Sequence, residues 1–256
     1  SSPRVGWMRT YHWLLLIGVT AFGPPLANSK DALTVGLAKG YEPYQFIDDK
    51  GLASGFDIDV AKAVFDKLKL NYQFSAYSWD DVMSLLRHNA IDVAVGAEIS
   101  AARMPYFLFT EGYYTRQPAL LTLADNTQVQ RVKDLIGQHI TGDRHSSLEA
   151  YLSQLGLKTQ FRIEQMESKK EAISALAKGN VKAVIMPKRV AFYLANKIGI
   201  KLKVLWQSPQ PTQVAFGVSN NNPDLVNQIN DALDALRADG TLQRIKDKWS
   251  INVPVD

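Results

Sequence analysis

The sequence predicts an α/β fold, and three observations carry that prediction. Short apolar runs bounded by Gly, Pro, Asn or Asp alternate with segments whose apolar residues recur at helical spacing. The alternation starts near residue 33 and continues to residue 249. The stretch from Gly51 to Leu68 shows the pattern in full. A polar turn at Asp48, Asp49, Lys50 and Gly51 precedes Phe56, and Ala61, Val64, Phe65 and Leu68 then repeat as one buried helix face. Asp57 is the expected helix cap, a short side chain able to accept a free backbone N–H. At 256 residues the chain suits one large domain or two lobes of ordinary size.

In order, strands are expected at 33–37 and 72–76, with a helix over 55–69 between them. A second helix is expected over 79–88, where Val82, Leu85 and Leu86 align, followed by a short buried strand at Ile91–Val95. Residues 100–103 read as a helical turn, and 107–114 form an aromatic run. The next block repeats the alternation: strands at 118–123, 139–142, 159–163, 181–186 and 202–206, with helices at 132–136, 146–155, 168–178 and 188–198. A strand at 213–218 follows. Leu225, Ile229, Leu233 and Leu236 predict a long amphipathic helix over 223–237, and a last helix runs over 241–249.

The chain is 46% apolar and 21% charged, the composition of an ordinary globular protein with a core. It has no cysteine, which excludes disulfides, thiolate metal sites, a cysteine nucleophile and a lipid-bearing N-terminal cysteine. His12, His88, His139 and His145 lack metal-ligand spacing, so no metal or other cofactor is expected. The net charge of +4 is spread along the chain without a basic stripe and interleaved aromatics, so nucleic acid is not an expected partner. Residues 1–27 read as an N-terminal extension and a signal peptide. Within them Met8 and Arg9 precede a ten-residue apolar run at 13–22, too short to span a bilayer, and Pro24, Pro25, Leu26 and Ala27 supply a break and a small residue for cleavage. A periplasmic protein, exported and not a lipoprotein, is the expectation.

GYEPYQF, GFDIDVAKA, the IDVAVG run and the ending ADGTLQRIKDKW resemble the periplasmic solute-binding proteins of polar amino-acid ABC importers, the family 3 extracellular solute-binding proteins. The resemblance covers residues 33–249. It implies a two-lobe periplasmic-binding-protein fold of type II, each lobe a mostly parallel sheet flanked by helices, joined by a two-strand hinge. Lobe 1 would be 30–115 plus 213–256 and lobe 2 would be 117–210. A small polar ligand would sit between the lobes at the carboxyl ends of strands, and hinge closure would enclose it. The implied partners are that ligand and an inner-membrane permease, with the protein itself a monomer.

The resemblance also implies site residues. Tyr41 and Trp79 match aromatic side chains that sandwich the ligand. Arg103, in ISAAR, matches the arginine that forks onto a carboxylate. Gly96 belongs to the same wall, and Ser146 and Ser147 match hydroxyls at a helix start that suits an anion. Three positions depart from the family. Ala38 and Pro187 replace acids that would receive an ammonium, and Glu98 stands where a Thr or Ser is usual. Glu98 would therefore either take a cationic group or neutralise Arg103. Charges about 4 Å apart attract by roughly 4 kcal/mol at an effective dielectric near 20, and this favours neutralisation and a ligand that is not an α-amino acid. Arg144 and Lys188, near the lobe 2 mouth, would then suit an anion. The alternatives to transport are a ligand sensor for a membrane receptor, or an enzyme resembling cyclohexadienyl dehydratases with Glu98 as general acid. Arg103 beside Glu98 would oppose that last role by lowering its pKa.

Overall fold

The chain is described by a computed structural model, in which residues 31–143 and 147–251 are defined. The segment at 1–27 read as an extension and signal peptide, and also Arg144, His145 and Ser146, lie outside the described residues.

The first sheet is built from β1 (Leu33–Ala38), β4 (Tyr72–Tyr77), β5 (Val93–Glu98), β6 (Leu108–Phe109), β7 (Tyr114–Arg116) and β13 (Thr212–Val218). Its order is β4-β1-β5-β13-β6, and β7 also pairs with β13. β1 runs parallel to β4 and β5, whereas β13 returns antiparallel to β5. A small hairpin of β2 (Phe46–Ile47) and β3 (Ala53–Ser54) leads into α1 (Phe56–Lys67). α2 (Trp79–Arg87), α6 (Pro223–Ala238) and α7 (Thr241–Lys248) complete this half. α6 shows why the pattern forms a helix here. Pro223 stands at its first turn, where a missing N–H costs nothing, and Leu225, Ile229, Ala232, Leu233 and Leu236 are all buried.

The second sheet has the order β10-β9-β11-β8-β12. It consists of β8 (Pro118–Leu123), β9 (His139–Gly142), β10 (Arg162–Glu164), β11 (Ala183–Pro187) and β12 (Leu202–Gln207). Here β9 is parallel to β10 and β11, and β8 is antiparallel to β11 and β12. α3 (Ser147–Gln154), α4 (Lys169–Ala177) and α5 (Lys188–Ile198) cover it. The chain passes between the sheets at Gln117, and again between Gln207 and Thr212.

Four expectations are corrected. Asp57 does not cap α1: Gly55 precedes the helix, and the Asp57 side chain turns into the core. The strand expected at Ile91–Val95 lies later, at Val93–Glu98: Ile91 is buried but unpaired, the Asp92 N–H donates to the Thr34 carbonyl (3.0 Å), and the register with β1 starts at Val93. The strand expected at 159–163 is a 3-10 turn at Lys158–Gln160 followed by β10. The helix expected at 132–136 is likewise a single 3-10 turn, Val132–Leu135.

Candidate functional site

The carboxyl ends of β1, β4 and β5 place three side chains on one rim. After β1 the loop turns back at Gly40, and Tyr41 bridges to Gln45, leaving the ring 3% exposed. After β4 the Ser78 hydroxyl accepts the Asp81 N–H at 3.3 Å, which starts α2 so that Trp79 is its first residue. β5 ends in Glu98, and the following turn, closed by Arg103 N–H donating to the Ser100 carbonyl (3.1 Å), carries Arg103 back over the strand end. Its guanidinium carbon lies 6.0 Å from the Trp79 ring centroid.

The second half faces this rim directly. The Lys170 N–H donates to the Gly40 carbonyl (3.2 Å), Lys39 pairs with Glu167 at 3.0 Å, and Lys197 pairs with Glu42 at 2.9 Å. The Tyr41 hydroxyl reaches Asp143 at 3.5 Å, and Lys169 donates to the other oxygen of Asp143. Between the halves lies a cavity of about 360 Å³ lined by Glu98, Ser100, Arg103, Ser147, Lys158 and Thr212, among others. A smaller space of about 10 Å³, room for one water-sized body, lies between Tyr41, Trp79, Gln165 and Lys169.

Beneath the rim is a buried polar floor that the sequence did not announce. Asp57 is fully buried and accepts from Gln45 (3.0 Å), Tyr113, Tyr114 (3.1 Å) and Arg116 (3.0 Å). Arg116, 1% exposed in its side chain, also donates to the Tyr114 hydroxyl (2.9 Å from Nε), and its guanidinium carbon lies 4.4 Å from the Tyr44 ring centroid and 4.8 Å from that of Tyr41. Burial pushes the Asp57 carboxyl up, and Arg116 and the donated hydrogen bonds only partly offset it.

The Glu98 carboxylate turns toward Arg116 (3.8 Å), not Arg103. Arg103 instead donates from Nη1 to the Glu98 backbone carbonyl at 2.8 Å. The expected pairing of Arg103 with the Glu98 carboxylate is therefore corrected: the guanidinium is held by a main-chain oxygen, and Glu98 acts on it only as a nearby charge. At 3.8 Å the Arg116 contact is beyond hydrogen-bond reach, and Glu98 Oε1 has no hydrogen-bond partner among the described residues. Burial raises the Glu98 pKa above its ordinary 4.5, more than Arg116 and Arg103 lower it, and Asp143 adds to the rise. Arg103 does lower it, as expected, but burial outweighs that effect and the net direction is upward.

A raised acid binds more protons folded than unfolded. Stability from Glu98 is thus full below about pH 4.5 and falls as pH climbs through its higher folded value. Glu98→Gln should be more stable than the wild type near neutral pH, by on the order of 1 kcal/mol. The advantage should vanish in acid, as read from Tm against pH. A constant difference at every pH would show that Glu98 does not titrate differently on folding.

The nine candidate residues fall into distinct groups. Tyr41, Trp79, Glu98, Arg103 and Ser147 line the two spaces between the halves. Gly96 lies under them, with φ of +57°. Lys188 opens α5 with its N–H on the Gln117 carbonyl (2.9 Å), and its side chain lines neither space. Arg144 and Ser146 are outside the described residues. Arg116, Asp143, Gln165 and Lys169 were missed. Arg116 reads as one strand residue among others, and Lys169, in SKKEA just after a Ser N-cap, reads as a solvent lysine. The buried charges would have been findable only by knowing which face each element presents.

Four side-chain atoms are buried without a hydrogen-bond partner among the described residues: Glu98 Oε1, Ser100 Oγ, Ser147 Oγ and Gln165 Oε1. Each belongs to a residue lining one of the two spaces, and both halves contribute. Buried polar atoms left single cost about 1–3 kcal/mol each. No group of metal-ligating side chains occurs among the described residues.

The chain is 26% identical over 224 residues to the L-cystine-binding protein TcyA of Bacillus subtilis (strain 168), covering 87% of this chain and 82% of that protein. Among solved structures it is similar to an ancestral arginine-binding protein bound to arginine, with 26% identity and a TM-score of 0.76, covering 86% and 99% of the two chains. It is also similar to the ancestral amino acid-binding protein AncCDT-1, a precursor of cyclohexadienyl dehydratase, with 25% identity, a TM-score of 0.72 and coverage of 85% and 95%. These likenesses give the two-lobe, type II periplasmic-binding fold expected from the motifs. The family description "bacterial extracellular solute-binding proteins, family 3" matches residues 33–252, and the chain belongs to that family.

Proposed function

We propose that this protein is a non-catalytic binding protein that closes over a small polar ligand and delivers it to an ABC permease from the exported side of the membrane. The observation that carries the reading is the set of four buried polar atoms without a partner among the described residues, three of them on the cavity that Arg103 lines and one on the smaller space beside Tyr41 and Trp79, drawn from both halves. In this reading 30–115 plus 213–256 and 117–210 move as two lobes. Arg103 takes a ligand carboxylate, the Ser147 and Ser100 hydroxyls assist, and Trp79 and Tyr41 wall the ligand. Relatives named for cystine and arginine support an amino-acid-sized ligand.

The test begins with the ligand itself, identified by mass spectrometry of what denatured protein releases. Arg103→Ala should weaken its binding by about 10- to 100-fold, the worth of hydrogen bonds to a charged group, while the Tm without ligand stays within about 2 °C. Unchanged affinity in calorimetry would remove Arg103 from the site.

A second reading is favoured by one observation. Glu98 is a buried carboxyl with a raised pKa in the cleft, the arrangement a general acid requires. The likeness to AncCDT-1 supports asking whether the protein dehydrates prephenate or arogenate. Turnover in an absorbance assay, abolished in Glu98→Gln, would replace the binding reading with the enzymatic one.

A further inference from the structure

Lys169 is 6% exposed, an unusual position for a lysine, and it is the first residue of α4. Its ammonium donates to Asp143 Oδ1 and lies 5.4 Å from the Tyr41 ring centroid, between the two halves of the molecule. Asp143 is 13% exposed, and its other oxygen takes the Tyr41 hydroxyl. An acid and an aromatic ring that meet where the two halves touch make a receptor for a cation. Here that receptor is filled by the protein's own ammonium. The second acid, Glu98, is equally surrounded: Arg116 lies 3.8 Å away, and the charges of Arg103 and Lys169 also act on it.

A ligand ammonium would therefore have to displace Lys169 from Asp143, leaving a buried lysine unpaired, or join three cations already converging on Glu98. Removing one partner from a buried pair is strongly unfavourable. A ligand carboxylate meets no such obstacle. Arg103 makes its only side-chain hydrogen bond among the described residues to a main-chain carbonyl, and Ser100 and Ser147 hold unpartnered hydroxyls on the same cavity. Glu98 Oε1 still requires a donor, and a ligand hydroxyl supplies one without adding charge.

We propose that Lys169 is a tethered ammonium filling the cleft's cation subsite, so that the ligand is a small hydroxycarboxylate and α-amino acids are excluded. This rests on the solute-binding reading and narrows it to a ligand class. Lys169 acts as a specificity-determining residue: it disfavours an amine and leaves the carboxylate subsite open.

Matched pairs test this by thermal shift on the whole protein: alanine with lactate, aspartate with malate, glutamate with 2-hydroxyglutarate, and then all twenty α-amino acids. In the wild type no α-amino acid should raise the Tm by 2 °C or more, and any rise within a pair should belong to the hydroxy acid. Lys169→Gln should gain a rise of at least 2 °C with one or more α-amino acids, since it frees Asp143. Lys169→Met serves if the Gln variant folds poorly, and the wild-type arm needs no variant. An α-amino acid that stabilises the wild type more than its hydroxy-acid counterpart overturns the proposal. So does a Lys169 variant that gains nothing from all twenty. Either result leaves solute binding intact if a released ligand is still found by mass spectrometry. Absence of any released or stabilising small molecule would instead undo the solute-binding reading itself.

Discussion

Replacing Arg116 by Met is expected to cost about 3–5 kcal/mol of stability, because it strands a buried carboxylate. Asp57 has no exposed surface, and Arg116 is the one cation it touches among the described residues. Met preserves much of the side-chain volume between the Tyr41, Tyr44 and Tyr114 rings, so the loss reports charge and hydrogen bonding rather than a cavity. Three neutral donors remain on Asp57 from Gln45, Tyr113 and Tyr114, but none of them balances its charge. At about 2–4 °C per kcal/mol for a chain of this size, Tm should fall by roughly ten degrees. The double variant Asp57→Asn/Arg116→Met should regain most of that loss, since it removes both charges together. Urea denaturation of the four proteins measures the coupling. A single variant that loses less than about 1 kcal/mol would mean that Asp57 is already protonated in the fold, which is the direction in which burial drives it.

The second large effect is expected at Gly96. Its φ of +57° is the left-handed region, and a Cβ there would stand 2.0 Å from Asp57 Oδ2 and 2.6 Å from Gln45 Nε2. Neither neighbour is a flexible tip: the Asp57 carboxylate is fixed by Arg116 and two tyrosines, and the Gln45 amide also donates to the Val95 carbonyl at 3.1 Å and accepts the Ala38 N–H at 2.7 Å. Gly96→Ala should therefore cost about 4 kcal/mol or more, at the far end of single substitutions. Gly51→Ala is the control. Its φ is +78° but nothing lies within 4 Å of the added carbon, so it should lose only the 1–2 kcal/mol of the backbone conformation. If both variants lose the same amount by urea denaturation, the polar floor yields to a methyl group and does not fix the wall of the cleft.

Both predictions concern the same construction. The floor of Gln45, Asp57, Tyr113, Tyr114 and Arg116 ties the loop after β1, the start of α1, the crossover strand β7 and the end of β5 into one unit. Glu98 sits on that unit through the Arg116 charge. The wall of the first half is thereby held by hydrogen bonds inside that half.

Much of the fold was legible because its elements follow single, strong periodicities. α5 begins and ends at the residues expected, and α6 differs from expectation by one residue at its end. The misplaced elements share a cause. β5 was drawn too early because Ile91 is apolar and buried but pairs with no strand, and the 3-10 turn before β10 carries residues that suit either state. Asp57 was misread because a short acid near a helix start suits a cap as well as it suits a buried ion pair, and only the position of Arg116, 59 residues later, decides between them.

The sequence by itself determined the family, the two alternating α/β blocks, and the loop aromatics and arginine that face the cleft, because those features are local and are repeated by motif. Only the tertiary structure decided the electrostatics. Which cation meets which acid depends on how β7 pairs with β13 and how α4 meets the loop after β1. Coulomb interactions change several-fold over a few ångströms and with burial, and neither quantity is written in the order of residues along a chain.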